Sequence, residues 1–236
     1  MKISVCMAAF NGELYIREQI ESILKQLKVD DELIISDDNS TDKTSDIVRE
    51  INDPRIKFIV NNGEKGYAKN FENALKQSSG DIIFLSDQDD VWVENKVEVL
   101  LKHLENSDMV ISNAKIVDSK LQVINDSHFL LYNVEKGFWK NFLKTRYIGA
   151  CMAFKREVLL KALPFPKQQK YCAHDYWLTI IGEAYFKVSL ENRPLLLYRR
   201  HGGNASSGGS ISQNPFLFKV FVRLYCVFNL LTRMRK

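Results

Sequence analysis

Short apolar runs alternate with amphipathic segments over the first 120 residues of the chain. Each run has the length of a buried strand, and each amphipathic segment repeats its apolar residues at intervals of three and four, as one face of a helix does. Continuous apolar strands that alternate with helices favour a parallel sheet with helices on both sides. The pattern therefore predicts an α/β fold, a single α/β/α sandwich with a mostly parallel central sheet. The predicted strands of this half are 3–9, 33–35, 56–60 and 81–85.

Polar clusters follow three of these strands at the points where the apolar runs end. They are Asn11-Gly12, Asp37-Asp38-Asn39-Ser40 and Asp87-Gln88-Asp89-Asp90. In an open parallel sheet, ligands bind beyond the carboxyl ends of the strands. We therefore expect the three clusters to meet on one rim of the sheet.

The second half of the chain is less regular. We expect residues 120–137 to form a loop, and small residues within the apolar run 147–154 indicate that another group packs close to that backbone. A helix starts near His174-Asp175. The strands predicted here are 109–111, 115–117, 147–154 and 195–198.

Charge divides the chain into an acidic body and a basic end. The chain has 236 residues and a net charge of +4, but no Asp or Glu follows Glu191, and the last 45 residues hold eight Lys or Arg. A basic end suggests an anionic partner, either phosphate or a membrane surface. Residues 214–233 predict an amphipathic helix at an anionic membrane surface, or a helix docked on the core or on a partner chain. Its longest stretch without charge, 224–232, is too short to span a bilayer, which needs about 20 apolar residues.

Four widely separated cysteines and the amino-terminal pattern bear on the cellular compartment. The cysteines form no Cys-x-x-Cys pair, which argues against a zinc knuckle or a disulfide framework and favours a reducing cytoplasm. The strand-like run directly after Met1 does not resemble a secretory signal. We expect a cytoplasmic protein that lies peripherally on the inner face of the cell membrane.

The acidic cluster Asp87-Gln88-Asp89-Asp90 is the sharpest local feature. Carboxylates this close repel one another when ionised, and a divalent cation with hard oxygen ligands, Mg²⁺ or Mn²⁺, relieves that repulsion. Such ions also bind substrate phosphates. The alternative is a solvated acidic turn that caps the next helix.

Two further segments each have a chemical and a plain structural interpretation. Asp38 can accept the imide N–H of uracil or thymine, whereas Asn39 or Ser40 can simply cap a helix. Asp175 can serve as a general base beside aromatic neighbours, or it can be an N-terminal helix acid.

A third segment, Tyr198-Arg199-Arg200-His201, carries two cations and an imidazole. Arg199 and Arg200 can clamp phosphate and His201 can ligate a metal. The alternative is a basic surface strand.

The order of these motifs resembles the inverting glycosyltransferases of family 2, from Lys2 to about Gly203. The family's "DDGSTD" loop corresponds to Asp37–Asp42, with Asn39 in place of Gly, and its Asp-x-Asp motif to Asp87-Gln88-Asp89. The family's Glu-Asp pair corresponds to His174-Asp175, in which His replaces the first acid. The segments Ser-Asp-Gln-Asp-Asp-x-Trp, His-Asp-Tyr-Trp and Tyr-Arg-x-His-Gly-x-Asn are similar to those of a rhamnosyltransferase-like branch.

The resemblance implies a GT-A fold, a Rossmann-like sandwich, that binds a nucleotide-diphosphate sugar and Mn²⁺ or Mg²⁺. Asp175 would be the catalytic base. The metal would be held by Asp89, with Asp90 close by, and by His201. The donor-binding residues would be Ala9, Glu13, Asp38, Lys69, Asn70, Asp87 and Arg199.

The implied function is inverting transfer of a sugar from dTDP-rhamnose or a UDP-hexose to a hydroxyl of a lipid-linked surface glycan. Residues 1–205 would form the glycosyltransferase domain. Residues 206–236 would form a flexible loop and the basic helix, with 202–210 as a lid. The alternatives are a polyprenyl-phosphate sugar synthase and a non-catalytic nucleotide-binding domain. A nucleotidyltransferase is disfavoured because residues 8–13 lack a glycine-rich phosphate loop. We expect no nucleic-acid partner, because the basic tail interleaves its cations with long apolar runs.

Overall fold

The computed structural model describes residues 1–202 and 215–233, so the predicted lid lies outside the described residues beyond Gly202. The strands are β1 (Ile3–Ala9), β2 (Glu32–Asp37), β3 (Ile56–Val60), β4 (Ile82–Asp87), β5 (Val91–Trp92), β6 (Met109–Val117), β7 (Val123–Asn125), β8 (Met152–Lys155) and β9 (Val188–Arg199). The helices are α1 (Ile16–Leu24), α2 (Thr44–Glu50), α3 (Tyr67–Lys76), α4 (Lys96–Leu104), α5 (His128–Tyr132), α6 (Phe138–Leu143), α7 (Arg156–Ala162), α8 (His174–Tyr185) and α9 (Phe216–Arg233).

One sheet contains all the described strands, in the order β3-β2-β1-β4-β8-β6-β9-β5, with β7 beside β6. Strands β1, β2, β3, β4, β6 and β9 run in one direction, and β5, β7 and β8 run against them. The α/β fold with a mostly parallel sheet is therefore confirmed. Two of the antiparallel strands, β7 and β8, belong to the second half, and β7 follows its neighbour β6 through a short connection, which an antiparallel pair permits. The third, β5, follows β4 in the first half and pairs with β9.

Strand register brings the predicted polar clusters to one rim. Ala9 at the end of β1 lies opposite Asp37, and Ala8 lies opposite Asp87. The carboxyl end of β9, at Arg199, lies at the same edge of the sheet beside the end of β6.

The second half differs from its predicted elements in several places. The predicted strand 147–154 is a 3-10 turn at Gly149–Cys151 followed by the shorter β8, and this turn lies against α8. Residues 109–111 and 115–117 belong to one continuous strand, β6. The predicted loop 120–137 contains β7 and α5, which are too short to produce a periodic pattern.

Helix α9 lies within the predicted segment 214–233 and packs on the core. Its Val222 and Cys226 are buried, and Tyr225 lies against the ring of Tyr171 with centroids 5.6 Å apart. The Tyr185 hydroxyl donates to the Leu230 carbonyl at 3.0 Å. Within the described part of the chain, no helix is long and apolar enough to cross a bilayer.

Candidate functional site

A side-chain clamp joins the loop after β1 to the loop after β4. The amide of Gln88 accepts from the Phe10 backbone N–H at 2.9 Å and donates to the Phe10 carbonyl at 2.8 Å. A Cβ at Gly12 would lie 2.2 Å from Oε1 of Gln88, so a larger residue there would displace the amide that forms this clamp. The x of the Asp-x-Asp motif therefore holds two walls of the rim together.

The loop after β2 is ordered by its own carboxylates. Asp37 accepts from the backbone N–H of Ser40 at 3.0 Å. Asp38 is buried, and its two oxygens accept from Nδ2 of Asn61 and from the N–H of Gly66, each at 2.8 Å. Asp38 thus lies at the predicted rim and fastens it, and each of its oxygens keeps a lone pair for a further donor.

Asn70 and Ala9, two predicted donor-binding residues, meet beneath this rim. The Asn70 amide donates to the carbonyls of Ala9 and Ser36 at 3.0 and 2.8 Å and accepts from the Ser36 hydroxyl at 2.6 Å. Because Asn70 is buried and these bonds use both its N–H groups, the structure gives it the task of spacing the ends of β1 and β2.

Glu13 and Lys69 are also tied to protein groups. One carboxylate oxygen of Glu13 accepts from the Lys43 N–H at 3.0 Å, next to the start of α2. The Lys69 ammonium pairs with Glu72 at 3.0 Å. Their contacts with a donor stay predictions.

The acidic cluster is crowded and largely out of solvent. Burial, followed by the charges of Asp89 and Asp175, raises the pKa of Asp87 to about 7. Burial and the charges of Asp89 and Asp87 raise the pKa of Asp90 well above its ordinary value. Oδ1 of Asp90 accepts from the Arg199 N–H at 2.9 Å, while Oδ2 is buried without a hydrogen-bond partner. A cation beside these carboxylates would therefore stabilise their ionised form.

Asp89 and His201 form the candidate metal pair. Oδ2 of Asp89 lies 2.8 Å from Nε2 of His201, whose ring lies against Tyr15 with centroids 4.9 Å apart. In residues 1–202 and 215–233, no cluster of three or more His, Cys, Asp or Glu is arranged to hold a metal. A carboxylate and an imidazole nonetheless fit Mn²⁺ or Mg²⁺, since such ions complete their shell with substrate phosphates and water. The unpartnered oxygen of Asp90 supports the same fit.

Arg199 is hydrogen-bonded to the backbone of Asp89, one member of this pair. Its guanidinium is 2% exposed and donates to the carbonyls of Asp89 and Ser119 and to the carboxylate of Glu18. It also lies over the ring of Tyr15, 4.5 Å from the centroid. These contacts make Arg199 part of the framework that carries Asp89, and a phosphate contact stays a prediction.

Asp175 lies in the first turn of α8, close enough to the acidic cluster for its charge to contribute to the raised pKa of Asp87. One of its oxygens accepts from the Tyr176 N–H at 2.7 Å. The neighbouring His174 is stacked on Phe71, with centroids 4.1 Å apart. Burial lowers the pKa of His174, so the imidazole is neutral at physiological pH.

Lys96 is a site residue that sequence reasoning missed. Its ammonium is fully buried, donates to the Ala150 carbonyl at 2.8 Å and lies 4.8 Å from the centroid of the Trp92 ring. Burial lowers the pKa of Lys96 to about 8, although interactions with Cys151, Asp90 and Asp87 act to raise it. A lysine in the first turn of an amphipathic helix resembles a surface residue in sequence, so no local signal marks it.

The chain matches Glycosyl transferase family 2 over residues 4–163, which is more than half of its length. The chain therefore belongs to glycosyl transferase family 2. It is 33% identical over 185 residues to the UDP-Glc:alpha-D-GlcNAc-diphosphoundecaprenol beta-1,3-glucosyltransferase WfgD of Escherichia coli, covering 77% of this chain and 70% of that protein. It is 30% identical over 222 residues to the dTDP-rhamnosyl transferase RfbG of Shigella flexneri, covering 87% and 75%.

Solved structures of other proteins have the same fold. The S. aureus TarS 1–349 structure in complex with UDP-GlcNAc has a TM-score of 0.74 and 19% identity, and covers 99% of this chain and 69% of that one. The mannosyltransferase PcManGT from Pyrobaculum calidifontis in complex with GDP-Man and Mn²⁺ has a TM-score of 0.64 and 18% identity, covering 99% and 73%. The predicted GT-A fold, family and action on nucleotide sugars are confirmed.

Proposed function

We propose that the chain transfers a sugar, with inversion, from dTDP-rhamnose or a UDP-hexose to a hydroxyl of a lipid-linked glycan. The names of the similar proteins support this choice of substrates. WfgD takes UDP-Glc to a GlcNAc-diphosphoundecaprenol acceptor, and RfbG is a dTDP-rhamnosyl transferase.

The proximity of Asp175 to Asp87, whose pKa its charge helps to raise, is the observation that carries the proposal. The Asp175 carboxylate at the start of α8 and the Asp87 carboxylate at the end of β4 are close enough for their charges to interact. A donor diphosphate held on the β4 side leaves its anomeric carbon facing α8. Asp175 then takes the proton of the acceptor hydroxyl, the oxygen attacks the anomeric carbon, and the diphosphate leaves from the opposite face.

The remaining site residues bind and orient the donor in this proposal. Asp38 accepts the imide N–H of the base beside Ala9 and Glu13, with Lys69, Asn70 and Arg199 supporting the nucleotide and Asp87 next to the ribose. Asp89 and His201, with Asp90 adjacent, would hold Mn²⁺ or Mg²⁺. When bound, the ion supplies charge stabilisation for the departing diphosphate, a contribution of several kcal/mol.

Residues 1–205 form the transferase domain and 206–236 the membrane-contacting end in this proposal, which places α9 on the inner face of the cell membrane. The exposed apolar residues of α9 and the absence of Asp and Glu from it support such a contact.

The test is a transfer assay in which UDP-glucose and dTDP-rhamnose are each offered with a GlcNAc-diphosphate-lipid acceptor. The sugar moved and the anomeric configuration of the product identify the donor and confirm inversion. Transfer to polyprenyl phosphate alone would instead show a polyprenyl-phosphate sugar synthase. Donor binding without transfer to either acceptor would contradict the assigned acceptors. The absence of both donor binding and transfer would contradict the enzyme assignment.

A further inference from the structure

Helix α9 is apolar on two opposite sides. One side packs on the core through Val222 and Cys226. The other side is an exposed stripe at intervals of three and four residues. It consists of Leu217, Val220, Phe221, Leu224, Val227, Phe228 and Leu231. An apolar stripe that stays in water does not stabilise the fold, and apolar surfaces of this kind mark interaction sites.

Helix α6 presents a second exposed apolar face. Trp139 is 71% exposed, and Leu143, one turn later on the same side of the helix, is 65% exposed. The rings of Phe138 and Phe142 hold the indole from the protein side, with centroids 5.2 and 6.2 Å from it.

The two faces adjoin. The guanidinium of Arg223 on α9 donates to the carbonyl of Leu143, the last residue of α6. Leu224, which follows Arg223, belongs to the exposed stripe. This hydrogen bond places α6 beside α9, and we call the exposed apolar residues of the two helices the α6–α9 face.

The charges around this face select its partner. Residues 136–146 contain four Lys or Arg and no acid, and residues 216–233 contain three and no acid. Glu135, the nearest acid before α6, is paired with Lys140. Apolar side chains within a border of cations match an anionic bilayer, where acyl chains lie beneath negative headgroups, and Trp prefers that interface.

We propose that α6 and α9 together bind the headgroup region of a bilayer that contains anionic phospholipid, with Trp139 inserted as an anchor. This extends the membrane contact proposed for α9 to a second helix, and it rests on that contact. Two anchored helices fix the orientation of the domain, which one helix alone would leave free to roll about its axis.

The α6–α9 face is also connected to the candidate base. The hydroxyl of Tyr176, the residue after Asp175, donates to the Phe142 carbonyl of α6 at 2.7 Å. The Arg223 guanidinium of α9 lies 5.5 Å from the centroid of the same Tyr176 ring. A bilayer bound to both helices therefore holds the first turn of α8 at a set height above the lipid, where a lipid-linked acceptor emerges.

Trp139 supplies its own reporter. The other two tryptophans, Trp92 and Trp177, are 4% and 0% exposed, so a change in the emission of the folded chain on vesicles reports Trp139. With phosphatidylcholine vesicles that contain phosphatidylglycerol, we expect a blue shift and quenching by brominated lipid. Both should be absent in Trp139→Phe and much smaller with phosphatidylcholine alone.

Vesicle sedimentation separates the two helices. We expect Trp139→Gln with Leu143→Gln, and Leu224→Gln with Phe228→Gln, each to lower the bound fraction several-fold. Val29→Gln, an exposed apolar residue between α1 and β2, should leave it unchanged. Thermal unfolding checks that each variant is folded.

Three outcomes would overturn the proposal. Sedimentation lost only in the α9 variant, with no change in Trp139 emission, would limit the membrane contact to α9. No sedimentation of the wild type, together with a dimer that either double variant disrupts, would show that the face binds a second copy. No sedimentation and no dimer would remove the bilayer assignment. None of these readouts uses sugar transfer, so failure here is distinct from failure of the proposed reaction.

Discussion

The Cβ that alanine would place at Gly149 falls 2.8 Å from Nε2 of His174. His174 cannot retreat freely, because its ring is stacked on Phe71. We therefore expect Gly149→Ala to displace the first turn of α8 and with it Asp175. The predicted result is a loss of about tenfold to a hundredfold in kcat with little change in donor KM, since small displacements of catalytic groups cost this much. Steady-state kinetics with the accepted donor would measure it.

A second substitution distinguishes displacement from unfolding. His174→Ala removes the atoms that the new Cβ meets, so Gly149→Ala with His174→Ala should recover part of the rate lost in Gly149→Ala alone. Wild-type kcat in the single variant would show that the contact does not position Asp175.

Asp175→Asn tests the proposed base directly. The amide cannot accept the acceptor proton, so transfer should fall by about 10²- to 10⁴-fold, the range typical of general-base catalysis. Donor affinity, measured by thermal shift with the nucleotide sugar, should be unchanged because the substitution is isosteric. A variant that transfers at nearly the wild-type rate would place the base elsewhere.

The Asp89–His201 pair predicts how metal and nucleotide binding depend on each other. Ligands that bind only the folded chain raise its apparent stability by mass action. We expect UDP or dTDP to raise the unfolding temperature more with Mn²⁺ than with chelator, and Asp89→Asn to remove the difference. His201→Gln should reduce it. A metal-dependent shift in Asp89→Asn equal to that of the wild type would contradict the assignment.

The positions of these acids could be predicted from the sequence because they depend on local pattern. Apolar runs end where Asp37 and Asp87 begin, and parallel strands end at one edge. The motif order then gave the family. Helix α6 could not be predicted in this way, because its six residues carry too little periodicity.

The partners of individual side chains could not be predicted, because they depend on contacts between residues far apart in the chain. The Arg199 guanidinium, expected at a phosphate, is occupied with Glu18 and with two carbonyl oxygens. The burial of Lys96 at the site depends on the fold, which places the Ala150 carbonyl beside its ammonium. Residue type and order locate a rim, and three-dimensional packing assigns the task of each residue on it.

The hydrogen bonds of Glu32 predict that the free energy of unfolding falls in acid. Burial would raise its pKa, but hydrogen bonds from Lys57, Ser4 and Ser79 outweigh burial and lower it to about 2 from 4.5. A depressed pKa in the folded state stabilises the fold above the unfolded pKa and loses that stability as pH falls. The contribution, about 3 kcal/mol from the size of the shift, should be complete above the unfolded pKa of 4.5 and should vanish as pH approaches 2.

Other acids titrate in the same range, so the comparison with Glu32→Gln isolates this group. The difference in unfolding free energy between wild type and Glu32→Gln, from urea titrations at a series of pH values, should be constant near neutrality and should shrink below 4.5. Lys57→Met removes one of the hydrogen bonds and should move the decline toward higher pH. A difference that stays constant down to the folded pKa would mean that Glu32 binds its proton equally well in the folded and unfolded chains, and that the lysine and the two serines do not hold it as an anion.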